Sequence, residues 1–527
     1  ECENIEKACG VARQVVKTAT ITAPPDLWLI RHVLGYFDEL GLTRRLLSGE
    51  AIYPAACRVD VGGETVRLAP EELERDLHFL LARGLVEQYD DSFRIAGHPR
   101  VGRLFRDLEP IAEEVPTPMT PVWRRLFRAD IAEGDRRAIE RLGEDTLPAE
   151  STDRRHNHWI PTHRQLSVGY RLLPIVLALR AEGSTDGLVR GSEIEASAWN
   201  SEEEGLVERA LEVLTAARWL EASGSGHRVS AIGARGFARG PGPFGIIETY
   251  HAYLANGGEL LTGRAGELHV ERSENVGASQ TANRKTFRQA NDALDRFCRE
   301  AGFEFSLFVE HAIGRGEATR QRYERSGDEG IDYVGADLED AAIDAAERQK
   351  ERGELPAGMI FVRDADIGDP EVLLGALRDK DLDPHGAVMM VGNGFHEVRE
   401  ADRERMVEIF ERYHEAGLVL LFTEANALSI DDLRATAWNT YHAGFTYLHE
   451  KSGQALRPAH PRPKPRLGRP LRASWSECAR RAGYVRAAEF CDRSRTIYPY
   501  TPEDGHNPSI SENHFFVPAD IADTLEW

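Results

Sequence analysis

Five apolar runs between residues 305 and 423 constrain this chain more than any other feature. They are FSLFVE at 305–310, IDYVGA at 331–336, GMIFV at 358–362, AVMMV at 387–391 and LVLLFT at 418–423. Unbroken apolar runs of this length suit strands buried on both faces of a parallel sheet. Helix-forming stretches, such as 340–351 and 400–415, lie between them. The right-handed crossover rule then predicts an α/β fold with a doubly wound sheet. In such sheets a ligand sits outside the carboxyl ends of the strands. Those ends carry Glu310, Asp337, Asp364, His396 and Glu424. One acid at one strand end reads as a helix N-cap. Polar residues after all five strands point to a shared site.

The first run leads into a tight turn. Ala312, Gly314 and Gly316 occupy every second position after Glu310, and a helix-forming stretch follows. The N–H groups and dipole of a helix N-terminus can hold the polar end of a ligand. Glycine supplies the unusual backbone angles and the close approach that this needs. The pattern resembles class I S-adenosylmethionine-dependent methyltransferases. Their acid-x-Gly-x-Gly-x-Gly turn stands here as Glu310-x-Ala312-x-Gly314-x-Gly316, with alanine in place of the first glycine. A dinucleotide-binding turn is spaced G-x-G-x-x-G, which this turn is not. The resemblance implies a Rossmann-like sheet with S-adenosylmethionine as cofactor. The backbone of Gly314 and Gly316 would face its methionine part. Asp337 would meet the ribose hydroxyls and Asp364 the adenine, with Leu338, Ala365 and Gly392 also binding the cofactor.

The segment 391–428 resembles the fourth-strand region of small-molecule O-methyltransferases. His396 falls on that family's general-base histidine and Glu397 on the acid after it, with Glu424 completing the catalytic set. Histidine is the natural proton acceptor near neutral pH when it reaches the acceptor group. Downstream, at 433–457, His442 and His449 are about two helical turns apart and share a face if the segment is helical. Some C-methyltransferases of the superfamily hold an iron or manganese ion that activates an enolisable substrate. On that likeness His396, His442 and Gln454 are the metal ligands, with His449 in reserve. The alternative is that these histidines pack beside Tyr441, Phe445 and Tyr447. Substrate contacts are expected from Tyr250, Tyr253, Tyr441 and His449.

The half before residue 264 carries an internal repeat. LHFLLARGLVE at 77–87 and LEVLTAARWLE at 211–221 match at a constant offset, each followed by a polar turn and a short strand. Helix, helix, then β-wing is a winged-helix pattern, present twice. One copy resembles the dimerisation domain of small-molecule O-methyltransferases; a second departs from it. DNA binding is disfavoured. The recognition positions read Pro70-Glu71-Glu72-Leu73-Glu74 and Ser201-Glu202-Glu203-Glu204, and the chain is formally −22, so phosphates would be repelled.

The expected layout is a leader at 1–24, winged-helix units at 25–125 and 126–243, linking helices at 244–300, the catalytic domain at 301–505 and a tail at 506–527. A polar helix face with Asn275, Ser279, Gln280 and Asn283 lies in the linking region. The catalytic domain should close with a helix and an antiparallel hairpin, after an exposed proline- and arginine-rich loop at 457–471. At 527 residues the chain can build two to four cored domains. It has no run of eighteen apolar residues to span a membrane. Its six cysteines show no CxxC spacing, which fits a reducing cytoplasm. The start lacks methionine and any apolar signal region, and reads as a piece of a longer polypeptide.

These readings converge on an S-adenosylmethionine-dependent C-methyltransferase of natural-product or polyketide biosynthesis. Its acceptor would be an enolisable small molecule or an acyl group on a carrier protein, with homodimerisation through the winged helices. A metal-free O-methyltransferase using His396 as base is the alternative. A ligand-sensing winged-helix regulator is the third reading.

Overall fold

The computed structural model describes residues 2–108, 115–144, 147, 160–224, 226–268, 270, 275–327, 330–436, 438–496 and 509–527. Two compact units are present. One holds Glu1–Val270 with Ile430–Ser452; the other holds Glu271–Ser429 with Gly453–Ile497 and Thr501–Trp527.

The second unit is built on an eight-stranded sheet. The five apolar runs form β1 (Leu307–His311), β2 (Asp332–Ala336), β3 (Ile360–Val362), β4 (Val388–Gly392) and β5 (Val419–Ala425). β6 (Tyr484–Arg486), β7 (Asp492–Thr496) and β8 (Ser509–Pro518) follow. The order is β3-β2-β1-β4-β5-β8-β6, with β7 also pairing with β8. β1 to β5 are mutually parallel, and β8 is antiparallel to β5 and β6. Leu307, Val309, Met389, Val391, Leu420 and Phe422 enter one core, whereas Phe308, Val388, Met390, Val419 and Leu421 enter the other. Successive apolar residues thus face opposite cores, and polar side chains enter these strands only toward their ends. Burying each large one contributes about 1.5–3 kcal/mol. The winding direction reverses between β1 and β4, which opens a crevice at their carboxyl ends.

Two expected boundaries move. The stretch 506–527 is no tail, because it contains β8, which lies between β5 and β6. Ser511, Glu512, Asn513 and His514 are polar yet buried there, so only the short stretch 515–517 of the strand is apolar. Residues 430–452, inside the expected catalytic stretch 301–505, pack with the N-terminal half instead. Buried polar bonds hold them: Tyr447 Oη donates to Asp76 Oδ1 at 2.7 Å, and Gly444 N to Asp26 Oδ1 at 3.1 Å.

The N-terminal unit also corrects the leader at 1–24, since one helix runs over Cys2–Glu39. The Pro24–Pro25 pair reads as a helix stop. The helix continues through it because Trp28, Leu29, Ile30, Val33, Leu34 and Phe37 on the following turns are all buried. Helix Pro70–Ala82 precedes the hairpin Val86–Tyr89 with Ser92–Ile95, and helix Glu204–Ala216 precedes Leu220–Ser223 with Gly226–Val229. The repeat-matched Leu77, Leu80, Leu211 and Leu214 are fully buried. The start of the linking region, 244–261, is divided at Tyr250 and Asn256 among the helices Pro241–Glu248, His251–Ala255 and Gly257–Thr262. The side chains of Asn275, Ser279, Gln280 and Asn283 lie outside the described residues. Among the described residues no helix is long and apolar enough to cross a membrane.

Gly392 ends β4 and was expected to border the cofactor. A Cβ there would come within 2.4 Å of the Phe287 ring. Gly392→Ala is therefore expected to cost about 1–3 kcal/mol through overpacking, read from the midpoint of urea unfolding. An unchanged midpoint would mean that Phe287 gives way freely.

Candidate active site

The turn after β1 is held by the acids that end β1 and β2. Glu310 accepts hydrogen bonds from Ala318 N at 3.2 Å and Thr319 N at 2.7 Å, the first turn of helix Glu317–Ser326. Burial dominates its titration and lifts the carboxyl to about 7 despite those bonds. Asp337 reaches across from β2: Oδ2 accepts from Gly314 N at 3.0 Å and Oδ1 from Glu339 N at 3.0 Å. Burial raises its pKa, against the pull of these N–H groups. A carboxylate has about four acceptor positions, so positions remain for the hydroxyls of a diol. Leu338, next to it, is half exposed.

Gly314 and Gly316 have φ of 54° and 76°, in the left-handed region. Ala312 shares that conformation at φ 55°, which costs an L-residue about 1–3 kcal/mol. Its methyl is accommodated because Gly394 lies opposite: a Cβ on Gly394 would stand 3.3 Å from Ala312 Cβ. The β1 turn and the loop after β4 are thus in contact at the sheet's reversal point. Asp364, after β3, is exposed with φ 53°, and the buried Ala365 donates its N–H to Asp337 O at 3.0 Å.

Two residues beyond Gly394, His396 is buried in a short 3-10 turn, Phe395–Glu397. Glu424, the last acid of β5, holds this turn. Its Oε1 accepts from Phe395 N at 2.7 Å, and its Oε2 lies 2.5 Å from His396 Nδ1. His396 Nε2 is 3.4 Å from Glu397 Oε1. Burial opposes a charged ring. The Glu424 carboxylate and the contact with Glu397 outweigh it and raise the imidazole from 6.5 to about 10. Gln454 Nε2 donates to Glu397, and Ala455 N donates to His396 O at 3.1 Å. Sequence reading put Gln454 on a metal; here it braces Glu397.

The remaining expected residues belong to the other unit. Tyr250 Oη lies 3.3 Å from His449 Nε2, while His449 Nδ1 donates to Phe445 O at 2.7 Å. Tyr253 donates to Leu268 O at 2.9 Å. Tyr441 packs edge-on to Phe445, and the His442 ring stacks on Phe445 at 5.4 Å. The metal expectation is not met by this donor set. Both ring nitrogens of His396 face carboxylates, Gln454 is engaged with Glu397, and His442 lies in the N-terminal unit. Among the described residues no group of three or more His, Cys, Asp or Glu side chains is arranged to hold a metal ion. Phe287 and Glu512, the latter registered opposite Glu424 on β8, carried no signal in the sequence.

No protein-family model matches the sequence, and no curated protein does. The chain is similar to solved methyltransferase structures. One is an O-methyltransferase family protein from Burkholderia thailandensis, at 17% identity over 67% of this chain and 96% of that one, TM-score 0.40. Another is the CurJ carbon methyltransferase, at 12% identity over 76% and 99%, TM-score 0.34. A third is OxaC in complex with SAH and oxaline, at 12% identity over 74% and 92%, TM-score 0.41.

Proposed function

We propose that the protein is an S-adenosylmethionine-dependent methyltransferase acting on an enolisable carbon of a small molecule or a carrier-bound acyl group. The observation that carries this reading is the contact of the acid-held glycine turn with the loop bearing the buried His396–Glu424 pair. The bound cofactor would supply an electrophilic methyl group. Gly314 and Gly316 would receive its methionine part, Asp337 its ribose hydroxyls, and Leu338 and Asp364 would flank its adenine. Glu424 fixes the ring so that Nδ1–H points at Oε2 and Nε2 is the proton acceptor. The acceptor's C–H bond would give its proton to Nε2, and the electron pair left behind would form the new carbon–carbon bond to the cofactor's methyl group, whose bond to sulfur would break with its pair staying on sulfur in S-adenosylhomocysteine. Glu397, partly exposed and beside Nε2, passes the proton on to solvent. A carbon acceptor is no nucleophile until it loses its proton, whereas a hydroxyl oxygen already has lone pairs. A strengthened base therefore favours carbon over oxygen. The two helix-and-hairpin units are read as winged helices that pack against a second copy.

The test is calorimetry with S-adenosylhomocysteine, which should bind once per chain. Asp337→Asn should weaken it by about tenfold, as expected for losing a charge-assisted hydrogen bond. A folded protein that binds none overturns the reading, and a product methylated on oxygen overturns the choice of carbon.

A further inference from the structure

Helix Asn275–Ala301 is fastened within the sheet-bearing unit by three buried side-chain amides. Asn513 of β8 donates from Nδ2 to Thr286 O at 3.2 Å, and Gln321 donates from Nε2 to Arg284 O at 3.0 Å. Asn291, on the helix itself, donates from Nδ2 to Ala318 O at 3.4 Å. Carbonyls at mid-helix are already met by the helix's own ladder. The added donors therefore fix where the helix lies rather than whether it forms. Both anchors also belong to the walls of the crevice. Ala318 and Gln321 lie on helix Glu317–Ser326, which follows the glycine turn, and Ala318 N is one of the groups that hold Glu310. Asn513 accepts from Thr423 Oγ1, while Thr423 O accepts from Asn393 N at 2.8 Å in the loop that leads to His396. Within the fastened stretch lies Phe287, whose ring packs so closely on Gly392 that it leaves no room for a Cβ there.

We propose that Phe287 is a wall of the cofactor site at the end of β4, and that Asn513 and Gln321 are positioning residues that act through it. This rests on the S-adenosylmethionine reading of the site. The ring gives the crevice a rigid apolar surface beside Gly392, and the bare glycine lets it approach the backbone. The amides keep it there, because drift of the helix would carry the ring off Gly392 and loosen the fit of the cofactor.

Titration calorimetry with S-adenosylhomocysteine on the full chain tests it. Asn513→Ala should weaken binding about fivefold, as for one lost hydrogen bond. Phe287→Leu should weaken it about fivefold as well, through the lost aromatic contact. The double variant should bind no more weakly than Phe287→Leu alone, since Asn513 acts only through the ring. A general loss of stability, seen as a lower urea midpoint, does not produce that coupling. Gln321→Met should repeat the pattern against Phe287→Leu, and it decides the matter if Asn513→Ala does not fold. Unchanged affinity in the folded variant, or effects that multiply in the double variant, overturn the inference and leave the cofactor reading standing. No binding by the wild-type chain overturns that reading and, with it, this role for Phe287.

Discussion

His396→Ala is expected to lower kcat by about 10²–10⁴-fold, the usual contribution of a positioned general base, with S-adenosylhomocysteine affinity unchanged. The pH profile carries the mechanism. Only the neutral ring accepts a proton, and its pKa is held at about 10. Activity should therefore climb with pH through neutrality and level off toward that value. Glu424→Gln removes the charge that strengthens the ring, so the rising limb should move to lower pH. Its plateau should also fall, because Nδ1 loses the partner that fixes it. A profile that is flat between pH 6 and 9, or a Glu424→Gln limb that stays in place, would remove His396 from the base role. Loss of cofactor binding in His396→Ala would instead indicate a structural effect.

The second large effect is on stability. Lys451→Ala should destabilise the N-terminal unit by about 3–5 kcal/mol, as for breaking a buried ion pair on one side. Lys451 Nζ lies 3.0 Å from Asp76 Oδ1 and 3.3 Å from Glu72 Oε2, and the side chains of Lys451 and Asp76 are wholly buried. Burial raises the pKa of Asp76, and the lysine is the largest counterweight. Without it Asp76 titrates higher still, so the loss should be smallest at low pH and grow as pH rises and the carboxyl must ionise. Urea unfolding at pH 5 and pH 8 measures this. Adding Asp76→Asn should recover part of the loss, because no buried charge is then left unpaired. Equal destabilisation at both pH values, with no recovery in the double variant, would contradict the account.

Much of the sheet was legible because its information is local. β1 to β5 are apolar runs, and burial on both faces of a parallel sheet demands such runs. The β1 turn was legible for the same reason, since left-handed φ at Gly314 and Gly316 leaves a mark in composition. His396 and Glu424 could each be picked out as strand-end polar residues. Their pairing could not, since it depends on β4 and β5 lying side by side.

The misses share one cause. β8 begins Ser-Ile-Ser-Glu-Asn-His, and its polar side chains are buried by pairing: Thr423 Oγ1 donates to Asn513, and Glu512 is held by His460 at 3.0 Å and Arg486 at 3.2 Å. Nothing in that run alone says that partners exist. The histidines at 442 and 449 looked like metal ligands because their spacing fits one helical face. Their helix instead joins the N-terminal half through Tyr447 and Lys451.

By itself, then, the sequence determined the parallel core of the sheet, the glycine turn and the polar strand ends, all consequences of backbone conformation and periodic burial over a few residues. Tertiary structure alone decided that residues 430–452 leave the sheet-bearing unit, that β8 enters it, and that Glu424 grips His396. Each of those depends on charge and hydrogen-bond complementarity between distant segments, such as Asp76 and Lys451 at 375 residues' separation. No local window of the chain records that complementarity.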